Sequence, residues 1–110
     1  MNYIIPQDKI DKVVFKYLDI KGLEKRKPEY YEGVIFAYPN NDYGILGWEN
    51  DGTLSIYHGI IDGICSGFGL NESDSKSIIS RWFSDRYKLE VIETFEVVQG
   101  HSYVFSIDTN

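Results

Sequence analysis

Cysteine occurs once in the 110 residues, as Cys65. A single thiol excludes an internal disulfide and any zinc site built from several cysteines. Long apolar runs are missing as well: none approaches the ~18 residues that span a bilayer. The start, Met1-Asn2-Tyr3-Ile4-Ile5-Pro6, has neither the basic residues nor the apolar stretch of a secretion signal. The spacings of a nucleophile elbow, a zinc protease, a calcium-binding loop, a dinucleotide fingerprint and a phosphate loop are all absent. With 43% hydrophobic and 25% charged residues, the chain has the composition of an ordinary globular protein rather than of a disordered one. Its length suits one domain over residues 1–110. The expectation is a cytoplasmic α+β domain.

Positive charge is scarce in one particular place. Residues 29–75 contain no Lys or Arg but eight acids: Glu29, Glu32, Asp42, Glu49, Asp51, Asp62, Glu72 and Asp74. Residues 1–28 carry seven bases against four acids, and residues 76–110 four bases against five acids. The three parts sum to the formal charge of −6 (+3, −8 and −1), so the middle segment supplies more than the whole excess. An acidic balance of this kind argues against binding nucleic-acid backbones or anionic membranes. It fits either a solvated surface or a face that docks on a basic partner.

The periodicity predicts the order α-β-β-β-α-α-β-β, an antiparallel meander packed by helices. Between Asp8 and Lys21, Ile10, Val13, Val14, Tyr17 and Leu18 form one helical stripe, opened by Pro6 and Asp8 and closed by Lys21-Gly22. A strand through Val13, Phe15 and Tyr17 is the competing reading. Residues Leu23–Pro28 read as a charged connector. Strands are predicted over Tyr31–Tyr38, Tyr43–Trp48 and Thr53–Tyr57, separated by Pro39-Asn40-Asn41-Asp42 and Asn50-Asp51-Gly52. A three-residue Asn50-Asp51-Gly52 turn pairs Trp48 with Leu54 and Leu46 with Ile56, giving one apolar face. It also places Gly52 in the left-handed position of a turn with a bulge. Val34 and Phe36 alternate with Ile35, so the sheet needs cover on both faces, the second of which another copy of the chain could supply.

Ile60, Ile61, Ile64, Cys65 and Phe68 recur at helical spacing. Gly69-Leu70 then makes a corner, and Asn71 caps a second helix that buries Ile78, Ile79, Trp82 and Phe83. Leu89–Val98 and Ser102–Ile107 read as a closing hairpin around Gln99-Gly100-His101.

Three constellations merit chemical attention. His58, Asp62 and Cys65 fall at i, i+4 and i+7, where an Asp could orient an imidazole beside a thiol. With His101 they would also suit a mixed metal site. Set against this, Cys65 lies on an apolar stripe, as a structural cysteine does. Gly59, Gly63 and Gly67 form a smooth helical face whose three glycines together cost about 2–3 kcal/mol of helix propensity. Close packing or a subunit contact would offset that cost. Finally, Tyr31, Tyr38, Tyr43 and Tyr57 share the base-free segment with Glu32, Asp42 and Glu49. Tyrosine offers large contact area with a polar tip, so these seven residues are the candidate binding patch. Trp48 and Trp82 occupy apolar-face positions and read as core.

The α-β-β-β-α start shares its order of elements with double-stranded-RNA-binding domains. Those domains read phosphates with basic residues at the start of the last helix, whereas His58–Cys65 contains Asp62 and no Lys or Arg. No functional residue is carried over. The sequence therefore predicts a non-enzymatic protein-interaction module without cofactor or metal, self-associating as a homodimer. The alternatives are a small acidic inhibitor or adaptor for a basic protein, of the kind mobile elements encode, and a small-molecule or metal site near His58, Asp62 and Cys65.

Overall fold

The computed structural model describes residues 7–98 and 102–109. Helix α1 (Gln7–Asp19) leads into strands β1 (Glu24–Arg26), β2 (Gly33–Ala37), β3 (Leu46–Glu49) and β4 (Thr53–Tyr57). Helices α2 (His58–Phe68) and α3 (Glu72–Tyr87) follow, then β5 (Glu93–Val97) and a short 3-10 turn over Tyr103–Phe105. The five strands form one sheet in the order β1-β2-β3-β4-β5. Among the described residues, no helix is long and apolar enough to cross a membrane.

The helical reading of α1 holds, but its buried stripe is rotated. Val14 and Leu18 are buried, Phe15 packs against the core, and Val13 is 55% exposed. Successive helical residues turn by about 100°, so a stripe centred on Val14 and Leu18 turns Val13 to the outside. In α2, Ile60, Ile61 and Ile64 are buried, and Gly69 closes the helix in the left-handed conformation that glycine adopts without strain. The Asn71 side chain caps α3 by accepting from the Asp74 backbone N–H at 2.7 Å. Ile78, Ile79, Trp82 and Phe83 are buried in α3 as expected. Phe36 meets Phe83 edge-on and stacks on Tyr87, joining sheet to helix with ring geometry that favours both contacts.

The register between β3 and β4 is the predicted one: Leu46 pairs with Ile56 and Trp48 with Leu54. Gly52 has φ +93°, as the three-residue turn requires.

Four expectations are corrected. The charged connector contributes strand β1, whose Glu24, Lys25 and Arg26 pair with Ala37, Phe36 and Ile35. A short, fully charged strand is well suited to a sheet edge, where solvent meets one side of the backbone. The strand predicted over Tyr43–Trp48 begins only at Leu46, and Tyr43 instead makes an isolated bridge with Ser106.

The meander is not wholly antiparallel: β5 runs parallel to β4, with Phe95 opposite Ser55 and Val97 opposite Tyr57. The two helices between β4 and β5 provide the long crossover that parallel pairing needs. The closing hairpin is also absent among the described residues. Ser102–Ile107 forms the 3-10 turn and bridges to Pro28 and Tyr43 instead, while Gln99-Gly100-His101 lies outside the described residues.

This rerouting supplies much of the sheet's second cover. Ile35 and Ala37 are buried with Ile107, and Tyr31 packs beside them. The closing segment is held by Glu29 N–H to Ser106 O at 3.0 Å, Gly44 N–H to Phe105 O at 3.0 Å and Asp108 N–H to Lys27 O at 2.8 Å. The chain itself thus covers a region where a second copy was a candidate.

Candidate functional site

Side chains on β4 and β5 alternate between the two sheet faces. Leu54 and Ile56 enter the helix-side core, so their partners Thr94 and Glu96 project to the same side. Glu96 there meets the start of α2: its carboxylate lies 3.2 Å from His58 Nδ1, while Asp62 lies 2.7 Å from His58 Nε2. The hydrogen bond with Glu96 raises the His58 pKa above its ordinary value, with Asp62, Glu96 and Glu72 adding through-space attraction.

Cys65 is not part of this group. Its sulfur lies 3.2 Å from Ser75 Oγ, so its polar contact ties α2 to α3. The proposed triad therefore separates into an ion-pair cluster and an interhelical contact. Neither contains both a base and the thiol. Among the described residues, no group of three or more His, Cys, Asp or Glu side chains could hold a metal ion.

The glycine face of α2 divides similarly. A Cβ on Gly59 would come within 2.8 Å of the Tyr57 ring, and one on Gly63 within 3.0 Å of the Tyr17 hydroxyl. Gly67 has nothing within 4 Å. Two of the three glycines are thus explained by packing within the chain.

The tyrosine and acid patch resolves into two places. Tyr38, Tyr43 and Tyr57 converge on a cleft of about 390 Å³, floored by Ile45 and Ile60, with Asn41 at its rim. The Tyr38 hydroxyl accepts from Lys21 Nζ at 3.2 Å, and the same ammonium lies 4.4 Å from the centre of the Tyr17 ring. Burial by itself would lower the Lys21 pKa, but the hydrogen bonds with Tyr38 and Tyr17 outweigh it and the net shift is upward.

Tyr31 lies on the second sheet face, donating its hydroxyl to Val104 O at 2.5 Å. Burial and the neighbouring Glu49 and Tyr103 hold its pKa well above the ordinary tyrosine value. Glu49 pairs with Gly33 beside Glu32. Asp42 is exposed in the loop between β2 and β3.

A third region was not singled out from the sequence. Phe95, Val97, Tyr103 and Val104 line a groove of about 400 Å³ on the second sheet face. Four large apolar side chains near or within β5 are strongly exposed: Ile92 (72%), Phe95 (47%), Val98 (68%) and Tyr103 (62%). Reading Leu89–Val98 as half of a hairpin hid this exposure by giving the strand a second neighbour. The two-helix crossover was the signal that β5 could pair elsewhere.

Of the eight acids in residues 29–75, none makes an ion pair with Lys or Arg among the described residues. Arg81 pairs with Asp11, Arg86 with Asp19, Lys27 with Asp108 and Lys88 with Asp85. All four of these carboxylates lie outside residues 29–75. Comparison with protein-family models, with curated proteins and with solved structures finds no match.

Proposed function

We propose that this chain is a non-enzymatic protein-interaction module that associates with a second copy of itself through β5. The observation that carries this reading is the contrast between the sheet's two edges. At one end, β1 is short and wholly charged, which discourages further strand pairing. At the other, β5 pairs with β4 alone among the described residues, and Phe95 and its neighbours leave apolar surface beside that edge. Exposed apolar groups next to an open edge favour strand addition.

The sequence of β5 also suits pairing with itself. In an antiparallel arrangement centred on Phe95, Phe95 faces Phe95 of the second copy, Glu93 faces Val97, and Thr94 faces Glu96. No acid opposes another acid, and the two phenylalanines cover each other on the second sheet face. Strand addition of this kind gives an isologous, closed dimer.

Light scattering across micromolar to high micromolar concentration tests the proposal. The expected result is a concentration-dependent dimer that Phe95→Lys converts to monomer while the circular dichroism spectrum is retained. A wild-type protein that stays monomeric throughout, or a dimer that survives Phe95→Lys, overturns it.

The acids of residues 29–75, which have no Lys or Arg partner among the described residues, favour a second reading, an adaptor that docks on a basic protein surface. Binding of that kind weakens steeply with salt because exposed charges are screened. Titration with a basic model protein such as lysozyme at low and high ionic strength is the measurement. Absence of salt-sensitive binding counts against it.

A further inference from the structure

We infer that the cleft walled by Tyr38, Tyr43 and Tyr57 binds a small aromatic carboxylate, its ring among the tyrosines and its carboxylate on the Tyr38 hydroxyl. This site is separate from the β5 edge, and either proposal can fail without the other. The cleft's size, about 390 Å³, lies in the range of small-molecule sites. Its floor is apolar, since Ile45 and Ile60 are 6% and 4% exposed. Three phenol rings above such a floor suit a flat ring, which can stack or meet them edge-on.

The polar group is the Tyr38 hydroxyl, whose partner Lys21 lies outside the cleft's lining. The Lys21 ammonium makes no ion pair with a carboxylate among the described residues; its partners are the hydroxyls and ring faces of Tyr38 and Tyr17. Because Lys21 donates to the Tyr38 oxygen, the Tyr38 proton is left to donate in turn. The nearby cation makes that hydroxyl a stronger donor and favours an anionic acceptor. An aromatic ring bearing a carboxylate meets both requirements: the ring fills the apolar cleft, and the negative charge offsets an ammonium that no acid among the described residues pairs with. A neutral ring of the same size meets only the first.

Amide-resolved NMR titrations with 4-hydroxybenzoate and its uncharged analogue 4-hydroxybenzyl alcohol test this. Both probes are expected to shift residues 41–45 and 57–60, with the carboxylate binding about tenfold or more tighter, as a charge-assisted hydrogen bond implies. Tyr38→Phe keeps the ring and removes the hydroxyl. It is expected to abolish the preference for the carboxylate, so that the two probes bind with similar affinity. Lys21→Met should reduce the preference in the same direction. Dispersed spectra of each variant establish that it is folded. No shifts at millimolar probe, shifts centred elsewhere, or a carboxylate preference that survives Tyr38→Phe would each overturn the inference.

Discussion

Gly47 lies directly beneath Tyr31. A Cβ at position 47 would stand 2.7 Å from the Tyr31 hydroxyl and 2.7 Å from the Val104 carbonyl oxygen that this hydroxyl bonds. The missing side chain is what lets the closing segment seat on the second sheet face. Gly47→Ala is therefore expected to destabilise the protein by about 1–3 kcal/mol, the usual range for overpacking. Tyr31→Phe should cost less, about 0.5–1.5 kcal/mol, because it removes one hydrogen bond and keeps the ring. Urea unfolding of both variants measures the difference. Equal stability of wild type and Gly47→Ala would mean that the segment can shift freely.

Asp19, at the end of α1, ties that helix to α3. Its carboxylate accepts from Trp82 Nε1 at 2.9 Å and lies 3.5 Å from Arg86 Nε. Trp82 is only 2% exposed, so its indole N–H has no ready access to solvent. Asp19→Ala should cost about 1–3 kcal/mol by leaving that donor unpaired. In a Trp82→Phe background the same change should cost much less. The double-mutant cycle, read by denaturant unfolding, isolates the pair. An equal loss in both backgrounds would show that the hydrogen bond contributes nothing.

The His58 cluster gives stability a defined pH dependence. Its folded pKa is raised above the ordinary value of 6.5, first by the hydrogen bond with Glu96 and then by the attraction of Asp62 and Glu96. The stabilisation is fully present below the unfolded pKa and is lost as pH rises through the raised folded value. Denaturant midpoints measured on either side of this window should fall towards high pH in the wild type. Glu96→Gln should flatten that fall. An unchanged slope in Glu96→Gln would remove the cluster as its origin.

Local chemistry made much of this fold legible. The Asn71 cap, the buried faces of α2 and α3 and the β3–β4 register each depend on residues close in sequence. In those places periodicity and turn chemistry agree. The Lys21–Tyr38 hydrogen bond, the His58–Glu96 contact and the exposed face of β5 join residues 17 to 38 positions apart or depend on which strand lies alongside. No local pattern encodes those distances. The glycines of α2 show the same division: their spacing was plain, but only packing revealed that Gly59 and Gly63 serve Tyr57 and Tyr17.

The sequence by itself determined an α+β chain, the identity of its helices, one hairpin register and the separation of eight acids from every Lys and Arg. These follow from side-chain periodicity, turn conformation and charge count, which are local or additive properties. Tertiary structure alone decided that β5 runs parallel to β4, and that the closing segment covers Ile35 and Ala37. It also brought Tyr38, Tyr43 and Tyr57 to one cleft while placing Tyr31 apart from them, against Val104. Those outcomes depend on which apolar surfaces meet across the fold, and burial depends on the partner as much as on the residue.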